Sequence, residues 1–295
     1  MLFKRKLAVA TMFAAMFFTA CENNNDDAIV ENMNKKIALE NPYEFVGVQH
    51  NEKLTQFAEY LKGDIYFSSQ DLYEFNKDRN PEFNVSIADY EQNLDESMDL
   101  TYKFMFEDKT ALQEILKSDV LNKYILEFRD VMLNVINSSS DITPSQFGER
   151  IVRLEESIMN DETFEKEEYQ NDRIILLATM SVARHSYAYW YAAYTQPTHP
   201  WYNMIDARIK SLNNGALAKE KEKEKKGIWS KVLTVAKCVV AAVVTVPADV
   251  IGAAEAANTV VSSDGNTRTT VITNEMIEAG ADKSAEVWKW ATNKQ

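Results

Sequence analysis

Apolar positions recur at helical spacing along most of this chain. Between His50 and Leu61, the residues Leu54, Phe57, Ala58 and Leu61 fall three and four apart, which is one face of a helix. Ser68 or Ser69 can cap a short helix carrying Leu72 and Phe75. Ser86 can cap a longer one, with Ile87, Tyr90, Leu94, Met98, Tyr102 and Met105 along its face. A wide stripe follows in Leu121, Tyr124, Ile125, Phe128, Met132, Val135 and Ile136, and the polar run from Asn137 to Asp141 ends it. Thr143-Pro144-Ser145-Gln146 is a strong start signal: a capping hydroxyl, a proline at the first helical position, and a glutamine that can complete a capping box. Phe147, Ile151, Leu154 and Ile158 then share a face. Residues 164–193 predict the most apolar helix, acidic at its start and nearly all-round apolar from Ile174 to Ala193, as a central buried helix is.

The pattern changes beyond residue 213. Lys219 to Lys226 alternates Lys and Glu and reads as a solvated linker. Residues 232–246 are apolar, but Lys237 interrupts them and Pro247 stops them, short of the roughly 20 residues of a membrane span. Ala248, Gly252 and Ala256 fall four apart, a spacing that allows close helix packing. Asp264-Gly265 between Thr259-Val260-Val261 and Thr269-Thr270-Val271-Ile272 is a hairpin signal. A last helix is predicted over 274–291. The chain thus reads as all-α: a helical bundle over 41–213, a charged linker over 214–228, and an Ala/Val-rich helical region over 229–295 with one short β-hairpin.

The amino terminus has a different logic. Lys4, Arg5 and Lys6 precede an apolar run from Leu7 to Phe18, then Thr19, Ala20 and Cys21. This is a secretory signal, residues 1–20. Phe18-Thr19-Ala20-Cys21 resembles the lipobox of bacterial lipoproteins, which implies cleavage before Cys21 and acylation of its thiol. Residues 21–40 open with Glu22, three Asn, Asp26 and Asp27 and read as an acidic tether. Such a stretch is similar to the export signal of surface lipoproteins in the Bacteroidota. The expected location is the outer membrane, exposed at the cell surface or facing the periplasm, with the membrane contacted through acyl chains.

Composition narrows the chemistry. The chain is 45% hydrophobic and 26% charged, which is globular rather than disordered. Its formal charge is −13, and all the acids lie beyond Cys21, so removing the signal makes it more acidic. Such a chain repels phosphate backbones, so no nucleic-acid partner is expected. Two Cys give no disulfide framework, and three His leave little room for a His-based metal site. No HExxH, CxxC, GxSxG, Walker or dinucleotide motif is present. No catalytic residue, metal or cofactor is therefore assigned.

His50 next to Glu52 reads as capping or packing rather than an acid/base pair, and His185 as a satisfied core histidine. His199 sits in a turn without a second ligand, and Cys238 reads as a buried inert thiol. The one specific binding feature is aromatic. Tyr187, Trp190, Tyr191, Trp201 and Tyr202 crowd a short stretch and are the candidate stacking platform for a glycan or apolar ligand. Packing at a helix end is the competing reading.

Three segments resemble an uncharacterised family of Bacteroidota lipoproteins. Asn41-Pro42-Tyr43-Glu44-Phe45-Val46-Gly47 through His50-Asn51 is similar to that family's N-P-Y-D-Y-V-G-x-x-H-N opening. The Thr143-Pro144 helix start and the run Ser181 to Ser186 with Tyr189-Trp190 are the others. The resemblance implies a Tyr at the position of His185 and no known activity. The stretch Ala248 to Ala253 resembles the start of a small-residue segment like those of some bacteriocins. The expectation is a non-enzymatic binding or interaction protein of the envelope, taking a glycan or protein ligand. Its alternatives are a toxin-like protein with a membrane-active tail and a hydrolase using a carboxylate pair.

Overall fold

Four of the described α-helices begin at a capping side chain, Ser68, Ser86, Ser118 and Thr143. The structure is a computed structural model and describes residues 41–64, 66–80, 83–138, 142–207, 210, 280–282 and 285. Helix α1 (Glu44–Leu61) follows a turn in which Asn41 Oδ1 accepts from the Tyr43 amide at 2.9 Å. It ends in left-handed Lys62, at φ 51°, and Gly63, at φ 87°. Helix α2 (Ser69–Arg79) opens on a reciprocal capping box between Ser68 and Asp71. Helix α3 (Ile87–Tyr102) starts at Ser86, whose hydroxyl accepts from the Asp89 amide.

Helix α3 passes directly into one π-helical turn, Lys103–Glu107. There the Phe104 carbonyl accepts from Arg129 Nε at 2.8 Å. The short helix α4 (Gln113–Leu116) leads to α5 (Asp119–Ile136), capped by Ser118. Helix α6 (Pro144–Asn160) has the Thr143/Gln146 capping box and the proline in its first turn, as the sequence pattern predicts. Two 3₁₀ turns, Glu162–Glu165 and Glu167–Tyr169, precede α7 (Gln170–Thr195).

Helix α7 runs through the middle. Helices α1 and α6 pack on it most extensively and α5 closes against both α6 and α7. Helices α2 and α3 build outward from α1. Every residue from Ile175 to Ala183 is buried, which one amphipathic face would not allow. Ile175, Leu176, Leu177, Met180 and Val182 meet Phe57, Phe128, Phe147, Ile151 and Ile158 in one core. A turn after α7 and a helix over 202–207 bring Trp201, Met204 and Ile205 back onto that core. Gly280, Ala281, Asp282 and Ala285 are also buried against the bundle.

The all-α class follows directly from the hydrophobic periodicity: the described residues are helical and carry no strand. Two boundaries differ. Helix α1 starts at Glu44 rather than at His50, because Gly47 sits inside it. The helix expected from residue 164 starts at Gln170. Asp161 holds a tight turn by accepting from the Thr163 amide at 2.9 Å, and Lys166 is extended. Cys21, the linker over 214–228, Cys238, the stripe over 248–256 and the hairpin signal lie outside the described residues. Among the described residues, no helix is long and apolar enough to cross a membrane.

Candidate functional site

The most concentrated polar chemistry lies along one seam between α1 and α7. On one side are Asn41, Glu44, Gly47, Asn51 and Thr55, each three or four residues from the next. On the other are Leu177, Ser181, His185 and Tyr189, each four residues from the next, with Arg184 beside His185. Helical residues at these intervals stack on one face, so two straight rows meet rung by rung.

The rungs are specific. Asn41 Nδ2 donates to Glu155 Oε1 at 2.7 Å and to the Leu177 carbonyl at 3.0 Å, tying the turn before α1 to α6 and α7. Ser181 Oγ donates to the Glu44 carbonyl at 3.0 Å and accepts from the Gly47 amide at 3.3 Å. Asn51 Nδ2 donates to the His185 carbonyl at 3.0 Å. Thr55 Oγ1 and the Tyr189 hydroxyl share a hydrogen bond of 3.0 Å. Gly47 is required by proximity: a Cβ there would lie 2.5 Å from the Ser181 carbonyl oxygen.

Arg184 is the centre of charge. Its Nη1 lies 3.0 Å from Glu44 Oε1, its Nη2 binds Glu44 Oε2, and Nη2 also lies 3.3 Å from Glu155 Oε1. His185 Nε2 meets Glu44 Oε1 at 2.6 Å. Burial alone would raise the Glu44 carboxyl, but His185 and Arg184 outweigh it and hold its pKa at about 2. Glu155 is fully buried, and burial pushes its carboxyl up despite Arg184. Burial works against the charge of Arg184 too, yet Glu155 and Glu44 together hold it firmly protonated.

Sequence alone does not reveal this carboxylate pair. Both carboxylates bind the same guanidinium. The arrangement clamps three helices together. A buried ion pair adds little net stability but penalises any other register.

The histidines divide accordingly. His50 is buried with Nδ1 at 3.0 Å from Asn51 Oδ1, whereas Glu52 is exposed, so the two do not meet. His185 is a quarter exposed and paired with Glu44. His199 packs edge-on to Tyr189 at 4.6 Å, and its Nδ1 accepts from the Trp201 amide; burial lowers its pKa to about 4. Among the described residues, no three His, Cys, Asp or Glu side chains are grouped to hold a metal ion.

The aromatic platform is corrected. Tyr187, Trp190 and Trp201 are 0%, 0% and 1% exposed, so their faces belong to the core. Tyr187 stacks on Phe147 at 4.1 Å and donates to the Ile142 carbonyl. Trp201 lies 5.2 Å from Trp190, and its Nε1 donates to the Leu54 carbonyl at 3.1 Å. Only Tyr191 and Tyr202 are half-buried at the edge. The rings crowd together because the turn after α7 folds Trp201 back against α1.

Sequence reading passes over Glu44, Glu155 and Arg184 as site residues. The available signal is polar and small residues at core-facing spacing: Asn41, Glu44, Gly47 and Asn51 all belong to the N-P-Y-E-F-V-G opening and its His50-Asn51 end. No protein-family description, curated protein or solved structure matches this chain.

Proposed function

We propose that this chain is a lipid-anchored protein of a Gram-negative cell envelope. Its helical bundle serves as a binding or interaction module for a protein or glycan rather than as a catalyst. The observation that carries the reading is the placement of Cys21 after Lys4-Arg5-Lys6, the apolar run Leu7–Phe18, and the small residues Thr19 and Ala20. Two acyl chains or more make a stable anchor, and the folded part need not touch lipid. At full extension the residues between Cys21 and Asn41 would reach about 70 Å at most, enough to hold the bundle clear of headgroups.

One feature of the bundle bears on this reading. The tail residues Ala281, Asp282 and Ala285 are buried on the bundle, which favours this reading over a membrane-active tail. The resemblance to Bacteroidota lipoproteins points to the outer membrane, with surface display as the favoured orientation.

The test is Cys21→Ser in cells fed an alkyne fatty acid. The wild-type chain should carry the label and sediment with the outer membrane, and the variant should do neither. Labelling of the variant, or its unchanged sedimentation, would refute the anchor. Protease shaving of intact cells then decides orientation, since a surface protein is digested and a periplasm-facing one survives.

A further inference from the structure

The turn after α7 is closed by a histidine. Between Thr195 and Trp201 the chain reverses through Gln196, Pro197, Thr198, His199 and Pro200. The His199 amide donates to the Gln196 carbonyl at 3.0 Å, and the His199 carbonyl accepts from the Tyr202 amide at 3.0 Å. The side chain closes the same turn, with Nδ1 at 3.3 Å from the Trp201 amide nitrogen. A backbone amide only donates, so Nδ1 must accept. The ring is therefore neutral, with its proton on Nε2. A protonated imidazole has no acceptor and would set one N–H against another.

What the turn holds in place is Trp201. Its ring lies 5.2 Å from Trp190, 6.2 Å from Phe57 and 6.1 Å from Phe67, and its Nε1 donates to the Leu54 carbonyl at 3.1 Å. The groups around His199 give a proton little support. Tyr189 of α7 meets the imidazole edge-on, and the Tyr189 hydroxyl is tied to Thr55 of α1. On α1, Glu59 acts on Tyr189 and Glu52 is exposed, while Asp206 beyond the turn pairs with Lys210. Burial is what bears on His199, and it lowers the pKa from the ordinary 6.5 to about 4.

We propose that His199 is a proton-operated latch: neutral, it closes the turn and keeps Trp201 in the core, and protonated, it releases both. The opened turn takes up the proton that the closed turn refuses. The latch is therefore fully closed above about pH 6.5 and loosens as pH falls toward 4. The proposal does not depend on the lipid anchor.

Hydrogen exchange at the Trp201 indole tests it, followed by NMR on the full chain and identified by the resonance missing from Trp201→Phe. With the pH dependence of the exchange chemistry divided out, opening should rise roughly tenfold or more between pH 7 and pH 5. In His199→Asn, whose side-chain oxygen can accept from the Trp201 amide and does not titrate, that rise should disappear. Trp190, on α7 itself, should stay protected in both chains. The same rise in both chains, or equal loss of protection at Trp190, would overturn the latch. If His199→Asn does not fold, the wild-type imidazole decides: titration near 6.5 with the Trp201 indole still protected would overturn it, and titration near 4 together with loss of that protection would support it.

Discussion

Gly47→Ala tests the seam at its closest approach. A Cβ at this position would lie 2.5 Å from the Ser181 carbonyl oxygen, 2.6 Å from His185 Cδ2 and 2.7 Å from Ser181 Oγ. The first atom is backbone and cannot rotate away. The other two are held by their bonds to Glu44. Ordinary contact needs about 3.4 Å or more, so α1 must withdraw from α7 by close to 1 Å. Alanine in a helix interior gains about 1 kcal/mol over glycine. Against this, overpacking costs roughly 1–3 kcal/mol, and each seam hydrogen bond stretched adds about 1 kcal/mol. The net expectation is a loss of about 2 kcal/mol, or roughly 4–8 °C in melting temperature for a bundle of this size.

Gly63→Ala is the control. Gly63 has φ 87° and nothing within 4 Å of its added Cβ, so only the left-handed backbone penalty of about 1–2 kcal/mol applies. Urea unfolding followed by circular dichroism measures both. Gly47→Ala should lower the midpoint without changing the slope. A Gly47→Ala chain as stable as wild type would refute the steric argument. Recovery of Gly47→Ala by His185→Ala, which removes one obstructing group, would strengthen it.

Two further predictions follow from the same geometry. Glu44 has a folded pKa of about 2 against an ordinary 4.5, so its stabilisation is complete above about pH 4.5 and is lost as pH falls toward 2. Glu44→Gln should therefore cost up to about 3 kcal/mol at neutral pH and flatten the acid limb of the stability profile; an unchanged acid limb would contradict the pairing. Trp201→Phe should cost about 1–3 kcal/mol by losing the bond to Leu54 and leaving a void. Tyr202→Phe, at the edge, should stay within about 0.5 kcal/mol. Equal thermal shifts for the two would refute the burial argument.

How much was legible beforehand varies by element. Helix α6 is readable to its first residue, because Thr143, Pro144 and Gln146 act locally. The central position of α7 was readable as well, because a run of apolar residues on every face has no stable place but the interior. Helix α1 starts earlier than its apolar spacing predicts: Gly47 looks like a break in one dimension and is a contact point in three. Helix α7 starts later than its apolar pattern predicts, because the turn at Asp161 depends on side chains that either helix or loop would tolerate.

The site shows the same division. The sequence by itself determined the helices and the acidic charge, since periodicity, capping and composition act within a few residues of chain. It also held the polar rungs of the seam, in the motif from Asn41 to Asn51, without saying what they bind. Only the tertiary structure decided that Glu44 and Glu155, far apart in sequence, share the guanidinium of Arg184. It also decided that Trp190 and Trp201 face the core and that Asp282 reaches Lys53. Those outcomes depend on which helix faces meet. That choice is fixed by the summed packing of the whole bundle, and no short window of sequence contains it.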